Sequence, residues 1–210
     1  MTIKIRTMQV TDEEAIKDIC YVTSGWGRDG KEELRDTIAL RWATHYVRHE
    51  TGHCFVAVDD ELEGQVVGYL LCAPDTLQYD EEYKERTHPL LKEEIKQVSR
   101  GDRGTVDPIK LAKLEAEFMV HPTSVMLPKV KKLIKTYPAH IHIDIYPSHH
   151  RRGIGRMLFA AHEEHLRSIG CPGYHLFVGA DNETAVKFYT SMGMEDAVHQ
   201  VGSIMFIKKV

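Results

Sequence analysis

The sequence has little cysteine, and none of it is arranged in pairs. Its 210 residues include four, Cys20, Cys54, Cys72 and Cys171, and no two are spaced as Cys-x-x-Cys. Each lies beside apolar or strand-like sequence, where a thiol behaves as a small hydrophobe. Reduced, buried thiols in a cytoplasmic protein are therefore expected in place of a disulfide framework. No apolar run is long enough for a membrane-spanning helix. The opening residues Met1-Thr2-Ile3-Lys4-Ile5-Arg6 alternate and lack the apolar core of a leader peptide. Positive charge is not in excess: 27 Lys and Arg stand against 31 Asp and Glu, a net charge of −4. That argues against a nucleic-acid partner, which needs a basic surface to displace phosphate counterions. A local basic groove could still hold a small polyanion. Internal repeats and low-complexity segments are also missing.

What is present is a chain with 42% hydrophobic residues, enough for one domain with a sizeable core and a large insertion. Ile3 and Ile5 alternate with Lys4 and Arg6 as in a half-buried strand. Thr11, followed three residues later by Glu14, reads as a helix start. A second helix is expected from about Lys31 to His49, ending before Gly52. Cys54–Val58 and Val66–Cys72 are apolar strands around a polar turn, an antiparallel hairpin. From Pro74 to Pro138 the sequence turns polar and helix-prone, with helical spacing at Leu111–Phe118 and Val130–Ile134. A structureless loop of that length is improbable in a compact domain, so a helical insertion over one end of the sheet is expected. Order resumes with a strand at Ile141–Ile145, a helix ending near Gly170 and a strand at Tyr174–Val178. A further helix, capped by Asp181 or Asn182, runs to about Ser191. Short strands around Glu195–Val198 and Ser203–Ile207 close the chain.

The loop Pro147-Ser148-His149-His150-Arg151-Arg152-Gly153-Ile154-Gly155 carries the first chemical signal. It joins a strand to a helix. Main-chain N–H groups in a glycine turn can approach an anion closely, and the helix start adds the positive end of its dipole. Gly153 and Gly155 leave no side chain in the way, and Arg151, Arg152 and Arg156 bring charge beside the cradle. The bland alternative is a tight turn with solvated arginines. It is not a dinucleotide fingerprint, for the third glycine and the acidic strand-end residue are missing. Nor is it a P-loop, because no Gly-Lys-Ser/Thr follows.

In His150-Arg151-Arg152-Gly153-Ile154-Gly155, followed by Asn182 to Met194 (Asn-x-x-Ala-x-x-Phe-Tyr-x-x-x-Gly-Met), the chain resembles the GNAT superfamily of N-acetyltransferases. His150 stands where Gln or Arg is usual, and Met194 where Phe is usual. The resemblance covers about the last third of the chain well and the first seventy residues by element order only. A narrower resemblance, in Tyr137–Ile145 and Gly173–Asn182, is to the acetyltransferase-like domains related to the C-terminal domain of O-GlcNAc hydrolases, some of which are held to have lost catalysis. The resemblance implies a mixed α/β (α+β) GNAT fold spanning residues 1–210, with a mostly antiparallel sheet, one splayed parallel strand pair, flanking helices and the insertion at about 74–138.

It also implies acetyl-coenzyme A as cosubstrate, no metal, and transfer of the acetyl group to a primary amine by direct attack. Main-chain groups of Ile143 and Ile145 would meet the pantetheine arm. His150, Arg151, Arg152, Gly153, Ile154, Gly155 and Arg156 would hold the pyrophosphate, and Asn182 would reach the pantetheine amides. Tyr189 would protonate the departing thiolate, against the alternative of a core tyrosine. Asp144 and, less directly, His142 are candidates for the base, with a structural carboxylate as the alternative for Asp144. A main-chain N–H of the splayed strand would stabilise the oxyanion.

Two rival readings accompany this one. His140, His142 and Asp144 alternate on one strand face near His149 and His150, a set of proper zinc ligands that would suit a metal-dependent hydrolase. Ile145 stands where such a pattern usually continues with His. A coenzyme-binding module without turnover is the other. Trp26, Trp42 and Tyr69 are candidates for the acceptor pocket, though packing is their commoner fate. The acidic runs Asp80-Glu81-Glu82 and Glu93-Glu94 would favour a cationic acceptor if they faced it, and are otherwise a solvated helix face. A small-molecule or peptide amine is the expected partner. Nucleic acid and membrane are not expected, and a homodimer is left open.

Overall fold

A computed structural model describes residues 2–25, 32–102, 104, 106–118 and 127–210. Its strands are β1 (Ile3–Thr7), β2 (Phe55–Asp59), β3 (Gln65–Ala73), β4 (Ala139–Ile145), β5 (Gly173–Gly179), β6 (Glu195–Gln200) and β7 (Ser203–Lys209). They form a seven-stranded sheet in the order β1-β2-β3-β4-β5-β7-β6. Every neighbouring pair is antiparallel except β4 and β5, which run parallel. The helices are α1 (Glu13–Thr23), α2 (Arg35–Trp42), α3 (Thr44–His49), α4 (Thr76–Arg86), α5 (His88–Arg100), α6 (Pro108–Phe118), α7 (Pro128–Thr136), α8 (Ile154–Ser168) and α9 (Glu183–Ser191). None of the described helices is long and apolar enough to cross a membrane.

Strand β3 explains why the sheet is covered on both faces. Val66 to Ala73 are all buried, and a strand without alternation needs apolar partners above and below. On one face Tyr69 and Leu71 pack with Ile16, Ile19, Ile38, Leu91 and Phe118, from α1, α2, α5 and α6. On the other, Leu70 and Cys72 pack with Ile154, Leu158 and Phe159 of α8 and with Tyr189 of α9. A smaller cluster joins Val130 and Ile134 of α7 to Met205 and Ile207 of β7.

Three expectations change in detail. The helix start at Thr11 is displaced: Asp12, not Thr11, makes the polar contacts, accepting from the Gln9 N–H at 2.8 Å and from both terminal nitrogens of Arg6 at 2.7 Å. The single helix expected from Lys31 to His49 is two, α2 and α3. They are separated at Ala43, whose φ of −133° leaves the helical region. The insertion is helical, but its helices do not pack together over one end of the sheet. Helices α4, α5 and α6 extend the layer begun by α1 and α2, whereas α7 packs separately against β7. Part of the glycine loop at 25–30 and of the break at 101–104 lies outside the described residues, and Trp26 with it.

Candidate active site

The parallel pair is where the sheet opens. Strands β4 and β5 are in register only at Ala139↔Tyr174 and His140↔His175, and then part. On its other side β4 stays paired with β3 through Gly68↔Ile145. The Tyr146 N–H donates to Val67 O at 2.9 Å. Because bonding alternates along an antiparallel ladder, that bond fixes which residues face β3 and which face away. The main-chain groups of Ile143 and Ile145 therefore turn toward the opening. The Ile145 carbonyl already accepts from His150 Nε2 at 2.8 Å, so His150 ties the loop back to the strand end. His149 does the same on the other side, through Asp59 Oδ2 at 3.3 Å. The loop from 146 to 153 is thus anchored at two imidazoles before the helix begins.

Helix α8 starts at Gly153, which has φ +78° and no side-chain cap. The N–H groups of the first turn are left for another partner, beside the exposed side chains of Arg151 and Arg152. The two glycines serve different ends. A Cβ at Gly153 would meet nothing within 4 Å, so glycine is there for its left-handed backbone. A Cβ at Gly155 would stand 2.8 Å from Phe188 Cζ, so glycine there lets α9 lie against α8. The Ile154 side chain is buried in the core, leaving only its main chain to face a ligand. Arg156 is engaged elsewhere, with Nη2 3.2 Å from Ser191 Oγ and Nη1 on the Met192 sulfur. Asn182 caps α9, its Oδ1 accepting from the Ala185 N–H at 3.1 Å. That use leaves its amide N–H groups free to donate.

On the opposite face of β4 stand His140, His142 and Asp144. Asp144 Oδ2 accepts from the Tyr69 hydroxyl at 2.6 Å and lies 3.2 Å from His142 Nε2. Tyr69, a candidate for the pocket wall, is instead fully buried and braces Asp144 from β3. Burial works against charge on His142, but the Asp144 carboxylate outweighs it and pushes the imidazole up to about 10. At neutral pH His142 is therefore a cation in an ion pair and not a free base. His140 is the reverse case: burial, with His175 and His142 nearby, holds it well below the usual histidine range. Its Nδ1 lies 2.8 Å from the Thr76 hydroxyl. Tyr189 is 9% exposed, among the rings of Phe159, Phe188 and Phe206. Burial first, and the charge of Asp144 second, raise its phenol and keep it protonated.

A cavity of roughly 160 Å³ opens between this strand face, α2 and α4, with Trp42, Arg41 and Asp80 in its wall. Trp42 is legible in the sequence as a pocket candidate; Arg41 is not, and Asp80 stands there as one of an acidic run. Helical spacing separates them, since Glu81 faces solvent while Asp80 turns inward. Among the described residues no group of three or more His, Cys, Asp or Glu side chains could hold a metal ion.

Known proteins resemble this chain in two ways. Residues 127–194 match the family described as acetyltransferase (GNAT) family. Mycothiol acetyltransferase of Nocardiopsis dassonvillei is 43% identical over 51 residues, 24% of this chain and 16% of that protein. The same-named protein of Nocardia farcinica is 42% identical over 55 residues, 26% of this chain and 18% of its own. The match thus spans less than a fifth of either relative. In structure, a protein described as SsHAT superposes with a TM-score of 0.77 at 25% identity, covering 100% of this chain and 98% of its own. A PaiA N-acetyltransferase of Thermoplasma acidophilum, solved with coenzyme A, gives 0.60 at 13% identity, over all of both chains. The fold is that of the GNAT acetyltransferases: a mixed sheet with a parallel β4–β5 pair and flanking helices.

Proposed function

We propose that this chain, of the GNAT N-acetyltransferase type by its matched segment and its fold, transfers the acetyl group of acetyl-coenzyme A to a primary amine by direct attack. The observation that carries the reading is the parting of β4 from β5 beside a helix that begins, uncapped, at a left-handed glycine. A strand edge with unpaired main-chain groups suits the two amides of a pantetheine arm, and an uncapped helix start suits a pyrophosphate. The thioester would supply an acyl group already activated toward an amine.

The geometry supports the following roles. Ile143 and Ile145 offer the main-chain groups of the open edge. Gly153, Ile154 and Gly155 offer helix-start N–H groups, with Arg151 and Arg152 as the flanking charge and Asn182 donating from the start of α9. Arg156 contributes by holding α9 to α8. Tyr189, kept neutral by burial, gives its proton to the departing thiolate. Asp144 uses Oδ2 for Tyr69 and His142, and its other oxygen would take up the proton that the acceptor amine must lose before attack. A main-chain N–H of β4 stabilises the oxyanion. The chain acts as a single domain, residues 1–210, in the cytoplasm, as its free thiols suit.

The test is thiol release from acetyl-coenzyme A with a panel of small amines and peptides, run beside calorimetric binding of the coenzyme. Amine-dependent release that survives a chelator is expected. Loss of activity on chelation would favour a metal site at His140, His142 and Asp144. Binding without release for every amine would leave a coenzyme-binding module without turnover, the outcome that the likeness to O-GlcNAc hydrolase-related domains raises.

A further inference from the structure

Two groups of opposite sign in the wall of the cavity, Arg41 and Asp80, each keep buried atoms that no protein group satisfies, although Arg41 also engages the Tyr83 hydroxyl. Arg41, on α2, is nine-tenths buried, and its Nε and Nη1 make no hydrogen bond. Its guanidinium is held over the rings of Trp42 and Phe118, with centroids 5.0 and 5.6 Å away. Asp80, on α4, has a buried Oδ2 that likewise accepts nothing. Burial pushes its carboxyl up to about 7 even though the Arg41 charge pulls the other way. Both residues line the same roughly 160 Å³ space, each in the other's field, yet these buried atoms carry no hydrogen bond. An unpaired charge in a protein interior is costly, and so is a buried donor without an acceptor. Two such groups of opposite sign, facing one cavity that also reaches His142 and Phe177 at the parting strands, form a site with its ligand's charges already complemented.

We infer that the cavity binds a small amino carboxylate, its carboxylate on Arg41 and its ammonium on Asp80, with the body of the molecule against Trp42, Tyr79 and Phe177. A guanidinium held flat by rings matches a planar carboxylate. An aromatic wall beside a carboxylate suits an ammonium-bearing carbon chain. A lysine side chain of a protein would satisfy Asp80 but leave Nε and Nη1 of Arg41 without an acceptor. The assignment rests on the acetyltransferase reading only where it makes this ligand the acceptor; the binding itself does not depend on turnover.

Matched probes test it. Calorimetry on the full chain, saturated with coenzyme A, would compare leucine with 3-methylbutylamine and 4-methylpentanoate, after a first screen of the twenty amino acids to choose the best side chain. The zwitterion is expected to bind at least about tenfold tighter than either half. Arg41→Gln should abolish the preference over the amine, and Asp80→Asn the preference over the carboxylate. If a variant fails to fold, the matched set on the unaltered chain still decides. Half-ligands that bind as well as the zwitterion would overturn the inference, and so would no binding of any amino acid at tens of millimolar. Thiol release measured in parallel separates the two readings. Release with amines lacking a carboxylate, at equal efficiency, keeps the transferase and discards the zwitterion site. Tight zwitterion binding without release does the reverse.

Discussion

His142 is subject to two opposing effects, and their balance can be measured. Burial alone would lower its pKa; the Asp144 carboxylate 3.2 Å away raises it to about 10. A group whose pKa is raised in the folded state contributes stability that is fully present below its unfolded value, near 6.5, and that fades as pH climbs toward 10. Replacing the carboxylate should shift that balance. In Asp144→Asn the imidazole is expected to titrate well below its wild-type value, because burial, the largest single cause, is then opposed only by Cys20. A histidine NMR titration of both forms would show this, and an unmoved His142 resonance would mean that Asp144 does not hold it. Tyr189 is tested differently. If its hydroxyl is the proton donor, Tyr189→Phe should lower kcat by about 100-fold and leave coenzyme affinity within about twofold. A variant with unchanged kcat would mark Tyr189 as a packing residue among its three aromatic neighbours. Residue roles of this kind were only partly legible in the sequence. Asp144 could be nominated because it alternates with the histidines. That Tyr69, seventy-five positions away, would occupy one of its oxygens depended on the register between β3 and β4, which no local pattern encodes.

At the scale of elements, the turn into α8 and its contact with α9 separate conformation from packing. Gly155→Ala would drive a methyl into Phe188, whose ring already stands edge-on to Phe159 with centroids 5.6 Å apart. Phe188 is half-buried and must give up part of its packing on Phe159 to make room, so the substitution should cost about 1–3 kcal/mol. Gly153→Ala meets no neighbour and should cost about 1–2 kcal/mol of left-handed strain alone. Urea unfolding of the two variants measures both. Wild-type stability of either variant would contradict the division of labour. The sequence showed both glycines but not their separate reasons, since Phe188 reaches Gly155 only after α9 has folded across α8. Elements with strong local signals came through well: the β2–β3 hairpin, the α8 and α9 boundaries, and the helical spacing at 111–118. The break at Ala43 did not, because alanine is the best helix former and only the packing of α2 and α3 on different neighbours interrupts the run. The insertion's helices could be read, but where they pack could not. Apolar spacing marks the buried face of a helix without naming what lies beneath it.

At the scale of the whole molecule the sheet is two halves, β1-β2-β3-β4 and β5-β7-β6, joined in register at only two residue pairs. The apolar core on the α8 face runs across both halves, whereas the other face is split into two clusters, so the open edge between the halves is a weak seam. The sequence announced the seam through the motifs that flank it, the glycine loop after β4 and the Asn182 helix start after β5. It could not announce the cavity beneath, which is made by α2, before the β2–β3 hairpin, and α4, after it, against β4 and β5. A ligand that fills the seam should therefore stabilise the molecule as one unit. At about a hundred times its dissociation constant, coenzyme A would add about 2.7 kcal/mol. For a chain of this length that corresponds to a rise in Tm of about 5–10 °C. The location of the effect is the sharper test. Amides of Ile143 and Ile145, which face the opening without a strand partner, should gain hydrogen-exchange protection on binding, together with those of Gly153 to Gly155. The amides of Asp144 and His142, already bonded to β3, should change little. Protection that instead appeared across β6 and α7, or a rise in Tm without any at the seam, would mean that the coenzyme sits elsewhere, and the proposed roles of the strand edge and the helix start would fall together.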